Sequence, residues 1–286
     1  MEENRFSRTA EGAALLRAAH QTLEGGRVFR DPYACAILGL TPEEAAARVG
    51  ADEGYRRMRL FIAARSRFAE DKIAAAAVRG VRQVVVLGAG LDTFGLRNPH
   101  AGEGVRVFEA DHPATQAWKR ERMKSMGVDA PSLFFAPVDF ERDDLGDALA
   151  KAGVDRAAPI FFMWLGVTPY LTPAAIMATL RVAAAAPGAE VGFDYSEGRE
   201  RQAGEARAFH EALQKGVASV GEPMIGFLDP AELSRDLAAL GMSEQEDLGI
   251  PEIAVRFFGA PPGSVPSGSA GHIIWARRPL DGEGKA

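Results

Sequence analysis

The stretch from Gln83 to Asp111 constrains this chain more than any other. Gln83-Val84-Val85-Val86-Leu87 is a short, continuous apolar run. Gly88-Ala89-Gly90-Leu91-Asp92-Thr93 follows, and then Val105-Arg106-Val107-Phe108-Glu109-Ala110-Asp111. The pattern predicts a buried strand, a glycine turn and a second strand ending in acid. Glycines let a backbone approach a ligand closely, and a carboxylate about 20 residues further on can take a ribose diol. The segment therefore predicts a site for a nucleoside-bearing cofactor, with Gly88, Ala89 and Gly90 lining it. A tight turn between strand and helix is the plain structural alternative.

The turn also discriminates among cofactors. A dinucleotide fingerprint needs a third glycine for close helix–strand packing under a pyrophosphate, and here that position is Thr93. S-adenosylmethionine has adenosine, a sulfonium and an amino-acid tail but no pyrophosphate, and fits this turn better.

The pattern around this stretch sets the fold class. Before residue 80 the chain reads as helical, over 7–23 and 55–78, with Asp31-Pro32-Tyr33 as a cap followed by a first-turn proline. After it, apolar runs at 83–87, 105–110, 133–136, 160–165 and 190–195 alternate with helical stretches at 115–126, 144–152 and 173–186, the mark of βαβ units. Two further runs, 242–248 and 272–277, flank a glycine- and proline-rich loop at 259–271 and predict an antiparallel hairpin. The expected fold is α/β: a Rossmann-like, class I methyltransferase sheet, mostly parallel and seven-stranded, with an N-terminal helical extension. Residues 1–80 are expected as a helical cap, 81–280 as the core with a lid at 198–226, and 281–286 as a disordered tail.

Bulk properties exclude other classes. With 286 residues, 47% hydrophobic, the chain can bury a large core. No run reaches the roughly 18 apolar residues of a membrane span, and the polar N-terminus lacks the apolar core of a signal peptide. A net charge of −6 argues against a nucleic-acid surface. The single cysteine, Cys35, and five scattered histidines offer neither a disulfide framework nor a metal-ligand spacing. A cytoplasmic protein is expected, with a small-molecule acceptor as partner, no nucleic acid and no membrane. Its oligomeric state is open between monomer and homodimer.

Several motifs together resemble the leucine carboxyl methyltransferase superfamily, in its bacterial branch of S-adenosylmethionine-dependent O-methyltransferases, which includes tetracenomycin-type polyketide O-methyltransferases. They are the Val84–Thr93 stretch, Phe108 through Lys119 with its Asp111-His112-Pro113 element, Arg8-Thr9-Ala10, Phe29 through Ala34, Arg65-Ser66-Arg67-Phe68 and Gly166-Val167-Thr168-Pro169-Tyr170-Leu171. The resemblance covers about residues 8–195. It implies that Gly88 lines the methionine and ribose of S-adenosylmethionine, that Asp111 holds the ribose, that Asp139 and Phe140 bracket the adenine, and that Arg65 pairs with the cofactor carboxylate. Glu109 points the same way along the strand as Asp111 and competes for the ribose role. Leu165 occupies a cofactor-side position where the family often has an acid. That departure favours a small-molecule acceptor over a protein carboxyl terminus.

Methyl transfer from a sulfonium is an in-line displacement, helped chiefly by positioning. A carboxylate acceptor is already ionised near neutral pH, whereas a phenol, with a pKa of about 10, gains from a base or hydrogen-bond partner. Tyr170 and Tyr195, at expected strand ends, are the catalytic candidates, with Asp194 nearby. His210 is expected to be solvated, and His112 to close a turn. A non-catalytic protein with this fold and a nicotinamide-dependent oxidoreductase are the competing readings.

Overall fold

The computed structural model describes residues 8–50, 52–140, 142–219, 221–266, 268 and 270–280. In chain order the elements are α1 (Arg8–Leu23), α2 (Ala34–Leu38), α3 (Pro42–Val49), α4 (Glu53–Val78), β1 (Gln83–Leu87), α5 (Phe94–Arg97), β2 (Arg106–Asp111), α6 (Pro113–Met126), β3 (Leu133–Pro137) and α7 (Leu145–Lys151). Then come β4 (Phe161–Trp164), α8 (Pro173–Ala184), β5 (Glu190–Ser196), α9 (Gly204–Ala218), α10 (Pro230–Ala239), β6 (Glu244–Gly249), α11 (Ile250–Phe258) and β7 (Gly271–Arg277). The strands form one seven-stranded sheet in the order β3-β2-β1-β4-β5-β7-β6. Strand β2 runs parallel to β1 and β3, and β4 parallel to β5, while β7 is antiparallel to both β5 and β6. This is the expected methyltransferase form of the Rossmann-like sheet.

Two compact units divide the chain. The first holds the residues up to Ala77 together with Arg82–Val154, and the second holds Val78–Val81 and the residues from Asp155 on. In the first, β1 is buried along its whole length, as a strand covered on both faces should be. Val107, Phe108 and Ala110 of β2 are fully buried beside it. Each such side chain contributes roughly 1.5–3 kcal/mol of burial if it is a large aliphatic or aromatic group. In the second unit Phe161, Phe162, Met163 and Trp164 of β4 and Val191, Phe193 and Tyr195 of β5 are buried.

Register decides what meets at the strand ends. Leu87 pairs with Ala110 and Asp111 with Pro137. The glycine turn, Asp111 and the residues after β3 therefore emerge at the carboxyl end of the first three strands, where open α/β sheets take ligands.

Local chemistry explains the helix starts. Pro113 stands at the first turn of α6, and His112 caps it, Nδ1 accepting the Ala114 N–H at 3.2 Å. Thr172 caps α8 as its sequence position suggests. Asp31 differs from expectation. Helix α2 begins only at Ala34, with Tyr33 as its N-cap, and the Asp31 carboxylate does two things: Oδ1 accepts the Tyr33 N–H at 3.0 Å, as a turn-capping side chain would, and Oδ2 forms a buried ion pair with Arg17. The C-terminal pair also differs in detail. Strands β6 and β7 are antiparallel neighbours as expected, but α11 occupies the connection, opened by Pro251 in its first turn and closed by Gly259 at φ 68°.

Ser7, the N-terminal segment and the tail at 281–286 lie outside the described residues. Among the described residues no helix is long and apolar enough to cross a membrane, and no group of three or more His, Cys, Asp or Glu side chains could hold a metal.

Candidate functional site

The first unit carries the glycine turn. Gly88 and Gly90 have φ of 61° and 48°, a conformation that costs an L-residue roughly 1–2 kcal/mol. A Cβ at Gly90 would also stand 3.2 Å from the Cβ of Ala10. The Gly88 N–H donates to the Ala110 carbonyl at 2.8 Å, and the Gly90 N–H to Asp111 Oδ2 at 2.5 Å. Asp111 Oδ1 accepts the N–H of His112 at 2.6 Å. Thr115 adds a side-chain hydrogen bond to the same carboxylate, which still keeps an acceptor position. Burial raises the Asp111 pKa, and the two backbone N–H groups work against that rise.

Glu109 is excluded from the ribose role that it shared with Asp111 on sequence grounds. Its side chain is fully buried, and Oε2 lies 2.6 Å from Lys119 Nζ of α6, itself buried. Burial pushes its pKa up to about 7, against the pull of Lys119. Gln116, one helical turn before Lys119, donates to the Glu109 carbonyl at 2.7 Å. These contacts seat α6 on β2 and so fix the Asp111-His112-Pro113 turn.

After β3, the Val138 N–H donates to the Asp111 carbonyl at 2.9 Å. This places Asp139 and Phe140 just past the strand end beside Asp111. Asp139 is half-buried, and its backbone is held by Asp143 Oδ2 at 2.8 Å. The Phe140 ring is 42% exposed, which an adenine platform requires and a core ring would not show.

Arg65 lies half-buried on α4. Its neighbour Arg67 is a surface residue, paired with Asp71 at 2.8 Å. An open cleft of about 380 Å³ is lined by Phe29, Arg30, Arg67, Asp71 and His100, and by none of the candidate cofactor residues.

The N-terminal helices take a part that the sequence did not reveal. Arg17 of α1 donates from Nε to Asp31 at 2.8 Å and from Nη2 to the Leu91 carbonyl, inside the glycine turn, at 2.6 Å. Asp31 also accepts the Thr93 hydroxyl at 2.7 Å. Arg97 adds a bond to Thr93 at 3.2 Å and a two-point pair with Glu70 of α4. Burial opposes the Arg97 charge, but Glu70 outweighs it and raises the Arg97 pKa. Thr93 is thus the hydroxyl through which α1, α4 and α5 are tied to the turn. A usable signal was Arg17 itself, a charge placed among Ala14, Ala18 and Ala19 on the buried face of α1.

In the second unit, Leu165 follows β4 and is half-buried. Gly166, at φ 75°, donates its N–H to Asp194 Oδ1 at 2.6 Å. Thr168 Oγ1 donates to the Asp194 carbonyl at 2.5 Å. Tyr170 ends the short 3-10 turn Thr168–Tyr170 and is half-buried. Tyr195 is 1% exposed, and its hydroxyl donates to Asp247 Oδ2 at 2.6 Å. Burial, then the Asp247 charge, drive its pKa far up, so it stays protonated. His210 is not solvated, contrary to expectation. It is buried on α9, edge-on to Phe227, and burial lowers its pKa.

The 198–226 segment ends against this unit's own backbone. Ile225 and Gly226 donate to the Pro169 carbonyl at 2.8 and 2.9 Å, and Leu228 donates to that of Ser196 at 3.0 Å.

The fold and the carboxylate at the glycine turn define a class: Rossmann-like sheets of the methyltransferase type. Within it, this chain belongs to the leucine carboxyl methyltransferase family, whose model matches residues 10–184. It is 33% identical over 199 residues to a Bacillus subtilis protein named "Putative S-adenosyl-L-methionine-dependent methyltransferase YktD", covering 68% of this chain and 65% of that one. A Saccharopolyspora erythraea protein, also named "Putative S-adenosyl-L-methionine-dependent methyltransferase", is 37% identical over 172 residues, 58% of each chain. The chain thus spans less than two thirds of the length of either relative. The crystal structure of a Thermobifida fusca protein described as a "putative methyltransferase" superposes with a TM-score of 0.60 at 15% identity, covering 97% of this chain and 96% of that one. At that identity the likeness is one of fold.

Proposed function

We propose that the chain is an S-adenosylmethionine-dependent O-methyltransferase that methylates a carboxylate or phenol of a small metabolite. The observation that carries the reading is the Asp111 carboxylate pinned to the glycine turn through Gly90. The residues present fit the cofactor. Gly88, Ala89 and Gly90 give the open backbone, and Asp111, which accepts from Gly90, His112 and Thr115, keeps an acceptor position for a ribose hydroxyl. Asp139 offers an acceptor to the exocyclic amine, and Phe140 an exposed ring to the base. Arg65 carries the planar fork that suits a carboxylate. Leu165 holds the position that the family resemblance assigns to the cofactor side. The bound cofactor would supply the electrophilic methyl group. The protein's share of the chemistry is to hold the acceptor oxygen in line and exclude water. On the acceptor side Tyr170 is the candidate hydroxyl, since that of Tyr195 is buried and committed to Asp247.

The nicotinamide reading is disfavoured by Thr93, whose hydroxyl and buried position are committed to Asp31. The non-catalytic reading rests on Leu165 alone. Isothermal titration with S-adenosylhomocysteine tests the proposal: heat at tens of micromolar protein is expected, and its absence overturns the reading. Transfer of labelled methyl to any member of an acid and phenol panel then separates enzyme from binder.

A further inference from the structure

Arg17 is a charge on the buried face of α1, and it is 7% exposed. Its ion-pair partner, Asp31, is 3% exposed. A buried pair of this kind adds little net stability over apolar side chains of the same size, so stability alone does not account for it. The other arm of Arg17 leads to the glycine turn, where Nη2 donates to the Leu91 carbonyl at 2.6 Å.

Leu91 belongs to the turn that orients Asp111. Gly88 and Gly90 both have positive φ, and glycine leaves a backbone free among several shapes. The shape of the turn is therefore set by what grips it. On one side the grip is β2. The Ala110 carbonyl takes the N–H of Gly88, and Asp111 Oδ2 takes that of Gly90. On the other side it is α1. The bare Cα of Gly90 faces Ala10, where an added Cβ would stand 3.2 Å from the Ala10 methyl. Arg17 holds the carbonyl of the next residue, Leu91. Ala10 and Arg17 are about two helical turns apart, on one face of α1. Asp31 completes the grip, since its Oδ2 accepts from both Arg17 Nε and the Thr93 hydroxyl, at 2.8 and 2.7 Å. Asp31 is itself fixed. Its Oδ1 accepts the Tyr33 N–H, and its own N–H donates to Gln21 Oε1 at 3.0 Å. Gln21 Nε2 in turn donates to the Arg17 carbonyl at 3.1 Å.

We propose that Arg17 is a positioning residue of the cofactor site, acting on Asp111 through the Leu91 carbonyl and the Gly90 N–H, so that docking of α1 and binding of the cofactor are coupled. This rests on the S-adenosylmethionine reading and deepens it. Arg17 needs no contact with the cofactor. With α1 docked, the Gly90 N–H and the Asp111 carboxylate are fixed before the ligand arrives, and the cost of ordering them falls on folding rather than on binding. With α1 undocked, the turn regains its freedom and Asp111 loses a fixed donor. The coupling is reciprocal: docking favours the ligand by the same factor by which the ligand favours docking.

A clasp that only stabilised the fold would show the same bonds, so the test reads affinity and hydrogen exchange rather than Tm. Arg17→Met keeps the length of the side chain and its apolar packing. In titration calorimetry the folded variant should bind S-adenosylhomocysteine about tenfold to a hundredfold more weakly than the wild type. Arg17→Lys keeps the charge but not the two-armed grip, and its affinity should fall between the two. Adding Asp31→Asn to Arg17→Met removes the unpaired buried acid without restoring the hold on Leu91. Affinity should then stay low even where Tm recovers. In the wild type, saturating S-adenosylhomocysteine should slow hydrogen exchange over α1 by about tenfold or more. A Kd for Arg17→Met equal to that of the wild type, with only Tm lowered, overturns the proposal. So does exchange over α1 that ignores the ligand, and this measurement decides if Arg17→Met does not fold. No heat with the wild type sinks the methyltransferase reading, and the proposal with it. Heat with the wild type and either contrary result sinks the proposal alone.

Discussion

Asp111 and Glu109 sit two residues apart on one strand, share a chemistry, and meet opposite fates. Asp111 stays half-buried at the strand end with two backbone donors, while Glu109 is sealed against Lys119. Asp111→Asn keeps the shape but turns one acceptor oxygen into a donor facing an N–H group. Affinity for S-adenosylhomocysteine should fall about tenfold to a hundredfold, the worth of one charged hydrogen bond, as read by titration calorimetry on a folded variant. Glu109 contributes to the pH dependence of stability. Its folded pKa, about 7, lies above its ordinary value of 4.5. Between those values the folded state keeps a proton that the unfolded chain releases, so stability falls as pH rises through this window. Lys119→Met removes the cation that restrains the shift. The folded pKa then rises further, and the loss of stability should be larger at pH 8 than at pH 5, reaching about 3 kcal/mol. Urea denaturation at the two pH values measures it. The presence of an acid at the end of β2 was legible in the sequence. Which of the two acids would stay accessible was not, because α6 alone decides it by carrying Lys119 onto Glu109.

At the scale of elements, alternation of apolar runs and helical periods located β1 to β5 and the long helices within a residue or two. Short elements escaped that alternation even where they are strongly amphipathic, as the nine-residue α11 is. Helix α11 was hidden beside a conspicuous glycine- and proline-rich loop, although Pro251 and Gly259 bracket it. The 198–226 segment was readable as partly helical, but not where its far end would attach. The attachment is backbone to backbone, from Ile225 and Gly226 to Pro169, and such bonds leave little trace in side-chain pattern. Gly226 is the one trace. A Cβ there would lie 2.0 Å from the Thr168 carbonyl oxygen and 2.6 Å from that of Leu171. Gly226→Ala should therefore lift this segment off the turn after β4. The expected result is faster proteolytic cleavage within 198–226 and a loss of about 2–4 kcal/mol. Unchanged cleavage would show that the segment is held elsewhere.

For the whole molecule, a ligand that binds only the folded chain stabilises it by about 2.7 kcal/mol at a hundred times its Kd. Saturating S-adenosylhomocysteine should therefore raise Tm by about 5 °C or more, while NADH at the same concentration should leave it unchanged. Calorimetric scans with each ligand decide between the two cofactor classes. The sequence by itself determined the class of sheet, the place of the glycine turn and the family, because strand period, left-handed turn positions and a strand-end acid are all local properties. Tertiary structure alone decided which charges survive at the surface. It drew Asp31, Thr93, Arg17 and Arg97 into one buried network and turned Tyr195 toward Asp247 and His272. Apart from Thr93 and Arg97, four residues apart on one helical turn, those partners lie 14 to 77 residues apart in the chain, and only the folding of distant segments onto one another creates the low-dielectric surroundings in which such groups must pair.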